Sequence, residues 1–117
     1  MKDGPRLRAL KRTTYLLLCA GFQPRQKGYR YLREAVWISY KEPEMLNSVT
    51  KRLYPEVAKR FETTDKHVER AIRIAIETAW LSGSSDTLAF LFGNLFADRN
   101  VRPTNSEVIR ILTDNVF

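Results

Sequence analysis

The chain has 117 residues, of which 44% are hydrophobic and 28% are charged, and its formal net charge at pH 7 is +7. This length and balance favour one domain with a single core, and they exclude a low-complexity chain. One cysteine, Cys19, excludes an internal disulfide framework, and one cysteine with one histidine excludes a structural zinc site.

The positive charge is concentrated in the first half of the chain. Residues 1–60 contain 14 Lys/Arg and 5 Asp/Glu, whereas residues 61–117 contain 6 and 8. A basic half of this kind attracts polyanions such as nucleic acid or anionic lipid, although a generic basic surface gives the same count. No apolar stretch is long enough to span a membrane, and the short apolar run near the N-terminus lacks a clear signal-cleavage site. We therefore expect a cytoplasmic protein with no membrane partner.

Hydrophobic spacing and helix-boundary residues predict an all-α fold, a compact bundle of about six helices, or seven if a short one at 45–51 is counted. Gly21 is the expected end of the first helix, and Pro43 stops the second. Thr104 followed by Glu107 three positions later is a capping-box pattern at the start of the last helix. The predicted helices span residues 6–20, 27–40, 45–51, 54–61, 65–81, 86–92 and 105–114.

Residues 54–80 have the layout of a helix-turn-helix, with a short helix, a polar turn and a longer helix packed across the first. Ala58 supplies the small residue that a close crossing of the two helices needs. The turn residues Thr63, Thr64 and Asp65 offer an N-cap for the second helix. The apolar seam predicted between the two helices consists of Val57, Phe61, Val68, Ile72, Ala75 and Ile76.

Charged and polar residues cluster on the exposed side where the second helix begins. DNA-binding helix-turn-helix proteins place this end in the major groove, where arginine can pair with guanine and glutamate can accept from cytosine. The predicted base-reading residues are Lys66, His67, Glu69, Arg70 and Arg73. The predicted phosphate-binding residues are Lys51, Arg52, Lys59, Arg60 and Thr64. The alternative is a solvated face on which Glu69, Arg73 and Glu77 form ion pairs of small energy.

Other kinds of site have weaker support. Cys19 and His67 could form a nucleophile and base, but nothing in their surroundings favours it, and no glycine-rich phosphate loop is present. We therefore expect neither an enzyme nor a cofactor. Trp37 and Trp80 lie on apolar helix faces and are predicted core residues. The Tyr-Arg-Tyr run at 29–31 could stack on single-stranded bases, but its helical spacing favours partial burial.

Five blocks of sequence carry a family resemblance. They are KGYRYLREAV at 27–36, LYPEVAKRF at 53–61, VERAIR at 68–73, AW at 79–80 and PTNSE at 103–107. In this order they resemble the C-terminal effector domain of the sporulation master response regulator, the stage 0 sporulation protein A family. The resemblance implies an all-helical domain that binds double-stranded DNA at short promoter boxes, often as tandem copies. Since 117 residues leave no room for the family's receiver domain, residues 1–117 are expected to form one effector domain.

The resemblance also implies roles for individual residues. Glu69 and Arg70 match the family's base-reading pattern, whereas His67 stands where the family usually has arginine. A contact with an RNA polymerase sigma subunit is implied for Gly83, Asp86, Thr87 and Phe92, with Thr87 standing where serine is usual. The sequence thus predicts a sequence-specific transcription regulator. The alternative is a helical protein-interaction module that kept the fold and lost specific DNA reading.

Overall fold

Six α-helices make up the part of the chain that the structure describes. The computed structural model describes residues 4–93 and 101–116, and these ranges contain no β-strand. The helices are α1 (Gly4–Ala20), α2 (Lys27–Lys41), α3 (Tyr54–Arg60), α4 (Asp65–Ser82), α5 (Ser85–Phe92) and α6 (Asn105–Asp114). The all-α prediction is confirmed, and none of these helices is both long and apolar enough to cross a membrane.

The helix predicted over residues 45–51 is wrong. A 3-10 turn, Pro43–Asn47, is followed there by a π-type turn, Val49–Leu53. Ser48 separates them because its backbone angles, φ −144° and ψ 52°, lie outside the helical region. The apolar residues of this segment are nevertheless buried at a four-residue spacing; they are Met45, Val49 and Leu53. The segment therefore has the hydrophobic period of an α-helix without its backbone.

α2 is the central helix and packs against α1, α3, α4 and α6. Its backbone approaches that of α4 so closely that a Cβ on Gly28 would lie 2.2 Å from the backbone oxygen of Ala71. Because only glycine fits at this distance, the two helix backbones meet directly. Leu32 and Val36 are fully buried further along α2, and burying a side chain of this size stabilises the fold by about 1.5–3 kcal/mol. This packing fixes which face of α4 points to solvent.

The C-terminal ends of α1 and α4 meet through two glycines. Gly21 has a φ of +92°, which favours glycine, and a Cβ there would lie 2.5 Å from the Cα of Gly83. Gly21 directly follows the last residue of α1, as the sequence predicts, and Gly83 caps the C-terminus of α4. These two positions exclude side chains for the same reason, which is the contact between their backbones.

The aromatic residues of the helices are mostly core residues. Trp80 is 3% exposed and Trp37 is 8% exposed, which confirms the core prediction for both. Tyr29 and Tyr31 are each 5% exposed, so neither ring is free to stack on a nucleic-acid base. Cys19 is half-buried.

Side-chain caps begin the fourth and sixth helices as the sequence predicts. The hydroxyl oxygen of Thr64 accepts a hydrogen bond from the backbone N–H of His67 over 3.1 Å. At α6, the Thr104 hydroxyl accepts from the N–H of Glu107, whose carboxylate accepts from the N–H of Thr104 over 2.8 Å. Each cap stabilises its helix by about 1 kcal/mol.

Candidate nucleic-acid interface

The turn between α3 and α4 is held by a backbone hydrogen bond. Ala58, on α3, is 4% exposed, as expected for the small residue at the crossing. The N–H of Thr63 donates to the carbonyl oxygen of Ala58 over 2.9 Å, the long-range bond of a Schellman motif. Glu62 takes the left-handed position of this motif, with φ +53°, which a side chain adopts at a cost. The turn thereby gives α4 a fixed starting point beside α3.

Five of the six residues predicted for the seam are fully buried, and Phe61 is the exception. The five are Val57, Val68, Ile72, Ala75 and Ile76, each 0% exposed. Phe61 is 36% exposed because it lies in the turn, where its ring packs edge-on against Tyr31 of α2 at a centroid distance of 5.0 Å. The core prediction for Phe61 is therefore wrong, and its ring forms part of the surface beside α4.

Lys66 and Arg70 lie on the outward face of the N-terminal half of α4. Both side chains are exposed, and no carboxylate in the described ranges forms a salt bridge with either. They line an open hollow of about 400 Å³, whose other lining residues are Thr50, Tyr54, Asp65, Glu69 and Arg73. The positive end of the helix dipole adds to the charge of Lys66, which lies in the first turn. Lys66 and Arg70 therefore offer an anion two exposed cations, beside the carboxylates of Asp65 and Glu69.

Glu69, Arg73 and Glu77 form a chain of ion pairs along another edge of α4. The Nε of Arg73 donates to Oε1 of Glu69 over 3.1 Å, and its Nη1 lies 3.9 Å from Oε1 of Glu77. Arg102, which precedes α6, pairs with the same Glu77 carboxylate. All four side chains are at least 36% exposed, so each pair contributes little to stability. Glu69 and Arg73, both predicted base readers, are thus partners of each other.

His67 projects from the opposite flank of α4. Glu69 lies two positions further along the helix, which places the two side chains about 160° apart around the axis. The imidazole is half-buried and packs edge-on against Tyr31, with a centroid distance of 5.9 Å. Of the five predicted base readers, the structure brings this one against α2.

The predicted phosphate-binding residues have unequal freedom. Lys51 and Lys59 are exposed and have no salt bridge to a carboxylate in the described ranges. Arg52 lies 4.0 Å from Glu42, with both side chains about half exposed, which is a weak pair. The Thr64 hydroxyl is occupied as the N-cap of α4.

Arg60 is held by a buried carboxylate. Its Nη1 donates to Oε1 of Glu34 over 2.7 Å, and Nη2 of Arg6 donates to Oε2 of the same residue over 3.0 Å. Glu34 is 5% exposed; burial by itself raises the pKa of its carboxyl, but the hydrogen bonds and charges of the two arginines lower the pKa below its ordinary value. Sequence reasoning missed this bridge, for which the only signal was an acid within the apolar stripe of α2.

Asn105 is a second connection that the sequence did not reveal. Its Nδ2 donates to the hydroxyl of Tyr54 and to the backbone oxygen of Glu69, each over 3.1 Å. Burial raises the pKa of the Tyr54 hydroxyl; the hydrogen bond from Asn105 opposes this, and the charge of Glu69 adds to it. The start of α6 is thereby tied to both helices of the helix-turn-helix.

The four residues predicted to contact a sigma subunit divide into two pairs. Phe92 is 3% exposed and packs on Trp80, with ring centroids 5.1 Å apart, and Gly83 lies against Gly21. Asp86 and Thr87 line an open hollow of about 540 Å³ between α1 and α5. Asp86 and Thr87 therefore lie at an open surface, whereas Phe92 is buried.

Comparison with known families decides what kind of domain this is. The sequence model described as the sporulation initiation factor Spo0A C terminal matches residues 13–116. The chain belongs to this Spo0A C-terminal family. The family is one of DNA-binding regulator domains of sporulation and is not a catalytic family. The match covers α2 to α6 and leaves out the first nine residues of α1, including Arg6.

Proposed function

We propose that this Spo0A C-terminal domain is a transcription regulator that reads a specific double-stranded DNA sequence with α4 in the major groove. The observation that carries the proposal is the pair of exposed cations, Lys66 and Arg70, on the capped N-terminal half of α4. Arg70 has the geometry to pair bidentately with a guanine, the commonest specific contact in the major groove. Lys51 and Lys59 supply exposed charge for the phosphates.

Glu69 and Arg73 contribute to reading only when their mutual pair opens. An exposed pair of this kind is worth about 0.3–0.5 kcal/mol on a helix, so opening it costs little. Glu69 can then accept from a cytosine amino group, and Arg73 can turn toward a base or a phosphate. His67 packs on Tyr31, and we propose that it reads at the edge of the contacted bases.

The test begins with selection of the preferred duplex from a randomised library by the full chain. Fluorescence anisotropy then gives Kd for that duplex and for a scrambled duplex, each at low and at high salt. We expect the preferred duplex to bind more tightly at both salt concentrations. Equal affinity for the two duplexes would contradict sequence-specific reading, and absence of binding at low salt would contradict DNA binding altogether.

Two variants that each remove one positive charge test the assigned roles. Arg70→Ala is expected to cost about 1–3 kcal/mol of binding free energy on the preferred duplex and little on the scrambled one, because a base contact is lost. Lys59→Ala is expected to weaken both duplexes alike, because a phosphate contact is lost. If the two variants behave alike, the division into base-reading and phosphate-binding residues is wrong.

A helical protein-interaction module is the second candidate. It is favoured by the pairing of Glu69 with Arg73 and by the packing of His67, which together leave two of five predicted base readers unpartnered on the surface. Binding that depends on salt but not on sequence in the selection experiment would support this candidate.

We also propose that Asp86 and Thr87 contact the polymerase sigma subunit and that two copies bind tandem promoter boxes. The support is that both residues line the hollow between α1 and α5, beside the 85% exposed side chain of Phe90. Asp86→Ala should reduce transcription with purified polymerase while leaving Kd for DNA unchanged. Asp114→Ala removes an exposed acid on α6 and is the matched control. Equal transcription by the two variants would contradict the sigma contact.

A further inference from the structure

The two flanks of α4 have different neighbours. An α-helix with its side chains is about 10–12 Å wide and the major groove is about 12 Å wide, so both phosphate strands pass close to an inserted helix. On the flank of Glu69, the hollow beside α4 is lined by Thr50, which precedes Lys51. On the flank of His67 lies the N-terminal part of α2, to which the sequence assigned no DNA contact.

One edge of α2 runs along the turn of the helix-turn-helix. Lys27, Arg30, Tyr31 and Glu34 lie at i, i+3, i+4 and i+7 and therefore share that edge. Tyr31 contacts both His67 and Phe61, and Glu34 accepts the hydrogen bond of Arg60. The backbone contact of Gly28 with Ala71 holds this part of α2 directly against α4.

The exposed charge on this edge is entirely positive. Lys27 and Arg30 are exposed, and neither forms a salt bridge with a carboxylate of the residues that the structure describes. Glu34, the acid on the same edge, is buried and has two arginine partners. A phosphate approaching from the His67 side thus meets two free cations without a competing exposed carboxylate on that edge.

We infer that Lys27 and Arg30 bind backbone phosphates of the DNA strand that passes α4 on the His67 side, opposite the strand contacted by Lys51. This inference rests on the proposed insertion of α4 into the major groove. With it, the helix-turn-helix is gripped from both sides, by the π-type turn before α3 on one strand and by the start of α2 on the other. These phosphate contacts would account for part of the positive charge of residues 1–60.

The test compares two double variants that remove the same charge. Lys27→Ala/Arg30→Ala removes the pair on α2, and Arg8→Ala/Lys11→Ala removes two exposed cations of α1. Lys11 lies on the side of α1 opposite its buried residues. Kd for the preferred and the scrambled duplex is measured between about 50 and 200 mM salt, where phosphate contacts dominate the salt dependence. Circular dichroism confirms that both variants keep their helices.

We expect the α2 double variant to bind both duplexes about tenfold or more weakly at low salt, with the slope of log Kd against log salt reduced by about 2. The α1 double variant should stay within about twofold of the unmodified chain, because nonspecific charge attraction alone is small at this salt. If the unmodified chain binds no duplex, the proposed function fails. If it binds and the two double variants behave alike, the inference about α2 fails while the proposed function stands.

Neutral methylphosphonate substitutions in the preferred duplex identify the strand. Substituting a phosphate that Lys27 or Arg30 binds should weaken binding by the unmodified chain but not by the α2 double variant. All phosphates of this kind should lie on one strand. The phosphates whose substitution no longer changes the affinity of the Lys51→Ala variant should lie on the other strand. Coupling of both variants to phosphates of the same strand would overturn the assignment.

Discussion

Arg70 and Arg60 flank the same turn, and both were predicted DNA contacts from their charge and position. Arg70 is exposed, and no carboxylate in the described ranges pairs with it. Arg60 donates to buried Glu34 over 2.7 Å and lies 3.7 Å from Glu56. One guanidinium is thus available to a ligand, whereas the other connects α3 to α2. The difference shows that the partners of a charge, more than its place beside a helix-turn-helix, decide whether it can bind DNA.

The largest expected effect is a difference in stability between the alanine variants of these two arginines. Arg60→Ala should lower the free energy of unfolding by about 1–3 kcal/mol, because it leaves one oxygen of a buried carboxylate without its charged partner. Arg70→Ala, an exposed side chain without a partner, should change it by less than about 0.5 kcal/mol. Urea unfolding followed by circular dichroism measures both. Equal effects would remove the distinction between a structural and an available arginine.

The pH dependence of stability tests the same bridge from the side of Glu34. The two arginines hold its folded pKa below the ordinary value of 4.5, so its stabilising contribution is complete above that value. The contribution is lost as the pH falls below 4.5 through the folded pKa. The stability advantage of the unmodified chain over Glu34→Gln should therefore shrink as the pH falls below 4.5. An advantage that stays constant or grows on acidification would contradict the bridge.

A smaller effect is expected at the turn that places both arginines. Glu62 has a positive φ, so Glu62→Gly should raise the free energy of unfolding by about 0.5–1 kcal/mol after the flexibility of glycine is counted. Glu62→Ala removes the same charge and keeps the strained side-chain position, so it should give no such gain. Thermal unfolding of the two variants compares them directly. A gain with alanine equal to that with glycine would assign the effect to charge.

The smallest effect is expected from the ion pairs on the surface of α4. Glu77→Gln removes the carboxylate that pairs with Arg73 and Arg102, yet stability should fall by less than about 1 kcal/mol because all three side chains are well exposed. Glu34→Gln, measured in parallel, is the buried counterpart. If Glu77→Gln destabilised the chain as much as Glu34→Gln, burial would not be what distinguishes the two networks.

The local sequence pattern was enough to predict most of the helices. Contacts between residues far apart in the sequence could not be predicted from it. The end of α1 at Gly21, the cap at Thr64 and the capping box at Thr104 follow from rules that act within a few residues, and the structure confirms them. The prediction of a helix at residues 45–51 is wrong because the four-residue hydrophobic spacing does not reveal the backbone break at Ser48.

The interface was predicted less completely than the fold for a related reason. The outward face of Lys66 and Arg70 follows from helical period alone. Arg60 is paired with Glu34, which lies 26 positions away in the sequence. Glu77 is paired with Arg102, which lies 25 positions away. Phe61 was assigned to the core because an aromatic ring fits a hydrophobic seam, but its place in the turn leaves it beside Tyr31 at the surface.

The start of α1 has a practical consequence for how the domain is produced. The family match begins at Thr13, but α1 begins at Gly4, and the intervening turns carry Arg6 and the fully buried Ala9. A recombinant fragment trimmed to the matched region would lose one of the two cations on Glu34 and uncover part of the core. The matched region thus omits residues that pack in the fold, and fragments for crystallisation or binding assays should include all of α1.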